Sequence, residues 1–437
     1  MLSSLVFTVL LLAGGGLFAR KIGKIRRNIL LGQPLERSDR TAERWKTMTR
    51  VALGQSKMVN RPIAGFFHIL IYVGFVLINL ELLEIIIDGI SGSHRFFKPY
   101  LGGFYDFLIG FFEVLGAGVI LACLVFLWRR NVQSLNRFKG PELSGWPRLD
   151  ANLILIIELV LMTALFGMNI AEANMTDQGG YLLSNQLAPL FSGFSQESLH
   201  TIERVCWWFH IIGILAFLNY VPYSKHFHII MAFPNTWYAQ LEPAGQLSNM
   251  ESVKKEVELM MDPNANPYAA ADPQETPARF GAKDVVDLPW KSLLDAYSCT
   301  ECGRCTSVCP ANITGKKLSP RKVMMDTRDR LEEVGKNIDK NGTFVDDGKA
   351  LLGDYITPEE VLACTTCNAC VEACPVLINP VSILTELRRY QAMEASQMPT
   401  EWALMLTNIE NNGAPWQFSA ADRLNWAENL VVKNPQA

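Results

Sequence analysis

The 437 residues leave room for two or three domains, and a net charge of −3 gives no field that would hold nucleic acid. The 49% apolar content averages two unlike halves. Long apolar runs fill the chain to about residue 230, and charged sequence with Pro- and Asn-containing loops follows.

Five runs in the first half are long enough to cross a bilayer as helices, which takes about 20 residues each. They are 2–19, 62–87, 105–128, 151–171 and 202–224. The first is short and glycine-rich ("AGGG", 13–16), but its charges follow it ("ARKIGKIRR", 19–27). A signal peptide has them in front, so we read an N-out anchor. Lys and Arg crowd 20–61 and 129–148, whereas loops 88–104 and 172–201 hold only Arg95 and Lys98. Basic loops stay in the cytoplasm. Five crossings then leave the second half there as well.

A linker-like stretch, "MMDPNANPYAAADPQETPARF" (260–280), precedes the second half. Eight of the ten cysteines then lie in two runs, "CTECGRCTSVCP" (299–310) and "CTTCNACVEACP" (364–375). In a reducing compartment such thiols point to metal, not to disulfides. Zinc needs only two CxxC pairs, and a redox dithiol needs only one. Each run instead reads C-x2-C-x2-C-x3-C-P, which resembles the bacterial ferredoxin pattern for a [4Fe–4S] cluster. In two-cluster ferredoxins the fourth Cys serves the other cluster. That resemblance implies Cys299, Cys302, Cys305 and Cys374 on one cluster, and Cys364, Cys367, Cys370 and Cys309 on the second. Cys123 and Cys206, in apolar runs, read as inert core thiols.

The spacer between the runs holds a charged helical piece, "SPRKVMMDTRDRLEEVGKN" (319–337). With "NPVSILTELRRYQAM" and "NNGAPWQFSAADRLNWAENL" (411–430), it resembles the helical two-cluster domain of heterodisulfide reductase and of glycerol-3-phosphate and lactate oxidation subunits. In many such relatives a cysteine-rich CCG module follows; none is met before Ala437. The catalytic centre is therefore expected on a partner, a CCG-type iron–sulfur protein or a flavoprotein. No Gly-rich dinucleotide fingerprint is evident.

All six histidines lie between positions 68 and 228, in or beside the membrane region's helices, where an ionisable group needs a reason. A neutral imidazole in a helical core is a natural axial ligand for haem iron. His68 lies about two turns into the second run. His210 and His228 are 18 residues apart, roughly 27 Å along one continuous helix. His226, about 200° around from His228 on such a helix, should face elsewhere. Lys225 is expected to snorkel to headgroups, and 231–243 to lie along the inner interface.

"FFHILIYVGF" and "FHIIGILAFLNYVPYSKHFHI" resemble the second and fifth helices of the gamma (cytochrome b) subunit of respiratory nitrate reductase, and equally its relative in membrane heterodisulfide reductase. The resemblance implies b haems with bis-His ligation: His68 and His228 on the inner one, His210 on an outer one. The family's other outer ligand falls where this chain has Ile78 and Asn79, which leaves His94, His200, Met162 and Met168 as substitutes.

The expected fold is mainly α. A five-transmembrane-helix cytochrome b bundle (1–235) and a linker (236–284) precede a cytoplasmic α-helical two-cluster ferredoxin domain with its tail (285–437). The expected function is a membrane-bound subunit of a quinone-linked oxidoreductase in the bacterial or archaeal cytoplasmic membrane. It passes electrons between the (mena)quinone pool, one or two b-type haems, two [4Fe–4S] clusters and a cytoplasmic partner. A heterodisulfide-reductase-like subunit with another membrane carrier, and a redox sensor, are the alternatives.

Overall fold

The computed structural model describes residues 1–176, 180–263 and 279–428. It is helical, and among the described residues it has no β-strand. Five helices are long and apolar enough to cross a membrane: α1 (Leu2–Ile29), α2 (Pro62–Ser91), α3 (Gly103–Asn131), α4 (Trp146–Met175) and α5 (Gln196–Tyr220). Local chemistry sets their ends. Pro62 opens α2, and Gly92 at φ 75 closes it with its N–H on the Asp88 carbonyl. Arg129 and Arg130 complement the dipole in the last turn of α3. Ser195 caps α5 by accepting from Ser198 N–H at 3.2 Å.

All five helices contribute to one core: Phe7 from α1, Ile85 from α2, Val119 and Cys123 from α3, Met162, Leu165 and Met168 from α4, and Trp207 and Ile211 from α5. Phe7 can enter only because position 89 is glycine, since a Cβ there would sit inside its ring.

The fifth helix does not run on to His228. It ends at Tyr220, and two 3-10 turns, Val221–Tyr223 and Lys225–Phe227, flank an extended Ser224 before α6 (His228–Trp237) begins. Pro222 lacks the N–H a continuing helix needs, and the Ser224 hydroxyl takes the His226 N–H instead. The 27 Å expected on one continuous helix therefore does not apply. Lys225 is also not at headgroups: its side chain is buried, with Nζ on the Pro147 carbonyl and on Glu301.

The described residues form two compact units, Met1–Ser248 with Asp284–Leu384, and Asn249–Lys283 with Thr385–Ala437. The expected linker at 260–280 lies mostly outside the described residues, as do the last two residues of the 411–430 segment. In the first unit, α1 leaves the apolar core and docks its basic end on α8 (Pro320–Asn341) beside α7 (Trp290–Ser298). Lys21 pairs with Glu332 at 3.0 Å, and Lys24 and Arg27 both pair with Asp339 at 2.5 Å. Asn28 donates to the Tyr297 hydroxyl at 3.0 Å and covers Gly335, where no side chain would fit.

Candidate functional site: one cavity from the bundle to the cysteine runs

The loops at the basic end of the bundle hold the cysteine segment directly. Arg61 donates to Ser307 Oγ at 3.0 Å, and Arg304 donates to the Lys57 carbonyl at 3.0 Å. Glu142 takes Arg321 Nη2 at 2.7 Å and Ser319 Oγ at 2.8 Å, while the Arg137 carbonyl takes Arg321 Nη1 at 2.6 Å. α6 does more than line an interface. Asn235 donates to the Val376 carbonyl at 2.8 Å and accepts from Lys291 at 3.0 Å, tying α6 to the second cysteine run and to α7.

The folding of the two runs brings cysteines of both together. Burial, then Cys302, Cys299, Cys374 and Cys370, push the Cys305 thiol well up, and burial with Cys302 beside it pushes Cys374 up to about 12. Burial, then Cys364 and Cys309, push Cys370 up to about 12. A small cavity holds Cys309, Cys364, Cys367 and Cys370 on one wall set. Crowded, buried thiols stay protonated at neutral pH unless a metal takes up their charge, and iron does so. Among the described residues no three His, Cys, Asp or Glu converge on a single-ion site. A cubane offers four separate corners, so its thiolates stand farther apart than ligands of one ion. Backbone N–H groups of Thr366 and Ile378 already point at Cys364 Sγ (3.4 Å) and Cys374 Sγ (3.3 Å).

A cavity of about 460 Å³ lies inside the bundle and reaches this segment. That is within the roughly 300–1,000 Å³ typical of cofactor pockets. Its wall includes His68, His210, His226 and His228, and at its basic end Cys302 and Pro375, one residue from each run. The His68 and His228 rings have centroids 6.3 Å apart, tilted by 41°. Two imidazoles on opposite sides of one metal would stand roughly 6–6.5 Å apart, from a metal–nitrogen length of about 2.0–2.1 Å plus the ring radii. His228 Nδ1 faces the Lys225 carbonyl at 3.0 Å and His210 Nδ1 the Leu161 carbonyl at 2.9 Å. Such bonds fix the tautomer that leaves Nε2 free as a ligand. His68 Nδ1 and His226 Nε2 are buried without partners, a cost that a bound group would relieve.

His226 corrects the helical-wheel expectation. It shares the cavity with His228, the two rings lying 5.5 Å apart and nearly perpendicular. The chain passes from a 3-10 turn into α6 between them, so the 100° rule does not operate. Burial, with His228 and His68 beside it, pushes His226 down to about 3, and burial also lowers His228. Both are neutral imidazoles near pH 7.

The remaining candidates separate. His94 is half-exposed and paired with Glu172 at 3.2 Å, and His200 is exposed; neither lines the cavity. Met162, Ile78 and Asn79 line it, whereas Met168 is buried in the core and does not. Sequence reading centred on histidine passed over the acids within the apolar runs. Glu158 faces the cavity with no hydrogen bond or ion pair among the described residues, and Glu81 lines its far end. Their presence inside spans is the signal that could have found them.

A bundle of five apolar helices joined to a segment that gathers eight cysteines defines the class: a membrane-helical iron–sulfur protein. Residues 298–378 match the family model described as a 4Fe-4S dicluster domain. The chain is similar to a probable iron-sulfur-binding oxidoreductase, FadF, of Bacillus subtilis, 29% identical over 92% of this chain and 57% of that protein. It is also similar to the EtfAB:quinone oxidoreductase of Syntrophomonas wolfei, 28% identical over 91% of this chain and 56% of that protein. A subunit of the ferredoxin/F(420)H(2)-dependent CoB-CoM heterodisulfide reductase of Methanosarcina acetivorans is 33% identical over 27% of this chain and 60% of its own length. The chain thus spans just over half the length of the first two relatives. No solved structure matches it.

Proposed function

We propose that the protein is a membrane-bound electron-transfer subunit linking the (mena)quinone pool to two [4Fe–4S] clusters through b-type haem. The observation that carries the reading is the single cavity with His68, His228 and His210 in its wall and Cys302 and Pro375 at its end. His68 and His228 would hold one haem, which when bound supplies one-electron chemistry between a membrane carrier and the clusters. His210 would serve a second group higher in the bundle. Cys299, Cys302, Cys305 and Cys374 would hold the cluster nearer the cavity, and Cys364, Cys367, Cys370 and Cys309 the farther one.

The chain's own residues hold the two ends of this route together. The Lys225–Glu301 and Arg321–Glu142 pairs and the Asn235–Val376 bond hold the cysteine segment against the cavity mouth. Residues 1–235 would form the haem-bearing membrane domain and 285–437 the cytoplasmic cluster domain, joined by 236–284, with the N-terminus outside. The basic loops 20–61 and 129–148 support that orientation, because they meet the cysteine segment at one end of the bundle. A protein partner, which we take to be a cytoplasmic flavoprotein or CCG-type iron–sulfur protein, is in keeping with the relative whose name pairs EtfAB with quinone. The match to a heterodisulfide reductase subunit favours a second reading, in which the membrane carrier is not a quinone.

Detergent-extracted chain, reduced with a menaquinol analogue and followed by visible and low-temperature EPR spectra, tests the first reading. Prompt b-type bands followed by cluster signals are expected. Cofactors that respond to dithionite and remain oxidised with menaquinol overturn it in favour of the second.

A further inference from the structure

The end of the bundle away from the cysteines buries a polar network that electron transfer does not require. α2 carries Glu81, Glu84 and Asp88; α3 carries Tyr105 and Glu113; α4 carries Asn169 and Glu172. Arg95, between α2 and α3, is the buried cation among them. Five carboxylates around one guanidinium are expensive in an apolar bundle, so each needs a task.

Three of the five have a structural one. Asp88 accepts Arg95 N–H at 2.8 Å, Phe96 N–H at 3.2 Å and Ser93 Oγ at 2.6 Å. Glu84 accepts Phe97 N–H at 2.9 Å and the Tyr105 hydroxyl at 2.6 Å. Glu113 accepts Leu183 N–H at 2.8 Å and Asn169 Nδ2 at 3.3 Å. These acids satisfy loop amides and fix the helix connections.

Glu81 and Glu172 differ. Among the described residues Glu81 accepts only from Arg95 Nη1, at 3.2 Å, and it lines the cavity. Glu172 accepts Arg95 Nη2 at 2.9 Å and meets His94 Nε2 at 3.2 Å. The His94 side chain is 56% exposed. The Tyr105 and Tyr181 hydroxyls accept from the same guanidinium at 3.3 and 2.8 Å. Through the Arg95 guanidinium, a line of hydrogen-bonding groups therefore runs from Glu81 on the cavity wall to Glu172 and His94 at the surface. It emerges roughly 45 Å from the cysteine end, the length of a 30-residue helix at about 1.5 Å per residue.

We propose that Glu81, Glu172 and His94, held in register by Arg95, form a proton path between the cavity and the far face of the bundle. The inference rests on the proposed quinone-linked function. Oxidation of a hydroquinone carrier to the quinone breaks its two O–H bonds and releases two electrons and two protons. The electrons would pass one at a time to the haem and clusters that the proposed function places here, and each proton goes to the Glu81 carboxylate, which passes on the first before taking the second. The Tyr105 hydroxyl, on Arg95 Nη1 beside Glu81 and donating to Glu84 at rest, and the Tyr181 hydroxyl, on Nη2 beside Glu172, would each take up the proton and give up their own on the way to Glu172, and His94 hands one proton to water for each one taken up. Arg95 keeps its own protons throughout, because guanidinium does not deprotonate in proteins. In quinone reduction the same groups run in reverse. The site thus separates charge, with electrons leaving at the cysteine end and protons at the other.

The test uses the full chain in detergent with both clusters and haem present, measuring the rate of cofactor reduction by a menaquinol analogue from pH 6 to 9. Glu81→Gln and His94→Ala should each slow that rate at least ten-fold while extents of reduction by dithionite stay at wild-type level. Imidazole in the medium should restore His94→Ala but not Glu81→Gln. Glu81→Gln and His94→Ala both running at wild-type rate across the pH range overturn the path while leaving the proposed function standing. Wild type that dithionite reduces and menaquinol does not removes both. Should Glu81→Gln fail to assemble, the surface variant His94→Ala and its imidazole rescue decide alone.

Discussion

Glu142→Ala probes the grip of the bundle on the cysteine segment. Arg321 is 1% exposed, and Glu142 takes its Nε at 3.1 Å and its Nη2 at 2.7 Å, together with the Ser319 hydroxyl. Without the carboxylate, the Arg321 guanidinium keeps only the Arg137 carbonyl among the described residues. Removing one partner of a buried pair costs about 3–5 kcal/mol, because the other charge stays in low dielectric. At a urea dependence of about 2 kcal/mol/M, the midpoint for loss of cluster absorbance should fall by roughly 1.5–2.5 M. Glu359→Ala, at the exposed Lys317–Glu359 pair, should leave it in place, since solvent already screens that pair. A Glu142→Ala midpoint within about 0.5 M of wild type, at full iron content, would refute the claim that this ion pair anchors the segment.

The proposed crossed ligand assignment predicts that Cys374→Ser and Cys302→Ser abolish the same EPR signal and half the iron, while Cys309→Ser and Cys364→Ser abolish the other. Loss of one signal in both Cys302→Ser and Cys309→Ser would contradict it. His68→Ala and His228→Ala should each lose b-type absorbance, and His200→Ala should keep it, read as haem per polypeptide by pyridine extraction. Gly335→Val presses on Asn28 and should destabilise by about 1–3 kcal/mol, seen as a lower temperature for cluster loss with no change in cluster spectrum.

The five apolar helices and the dicluster segment were legible because each depends on a strong local signal: an unbroken apolar run, or a fixed cysteine spacing. The basic stretch "RKIGKIRR" was legible only as a topological charge. That Lys21, Lys24 and Arg27 also match Glu332 and Asp339 depends on a helix some 300 residues away, and no local pattern announces such a partner. The acids of α2 and α4 were hidden for a related reason. Glu81 and Glu172 mean little singly, and only the fold places both on one guanidinium.

The break after Tyr220 has the furthest consequences of the features that periodicity missed. A continuous helix would have placed His226 and His228 on different faces and carried the chain away from the bundle. Pro222 and Ser224 instead turn it so that both rings enter the cavity, and the next helix delivers Asn235 to the Val376 carbonyl two residues beyond Cys374. One short irregular segment thereby sets both the imidazole pair and the position of the second cysteine run. A shift at Val376 would be felt at His228 through the ten residues of α6. That mechanical link gives a reason for the non-helical turn at this position: the separation between the cavity and the cysteines depends on a strut of nearly three turns, and a strut needs a defined starting angle.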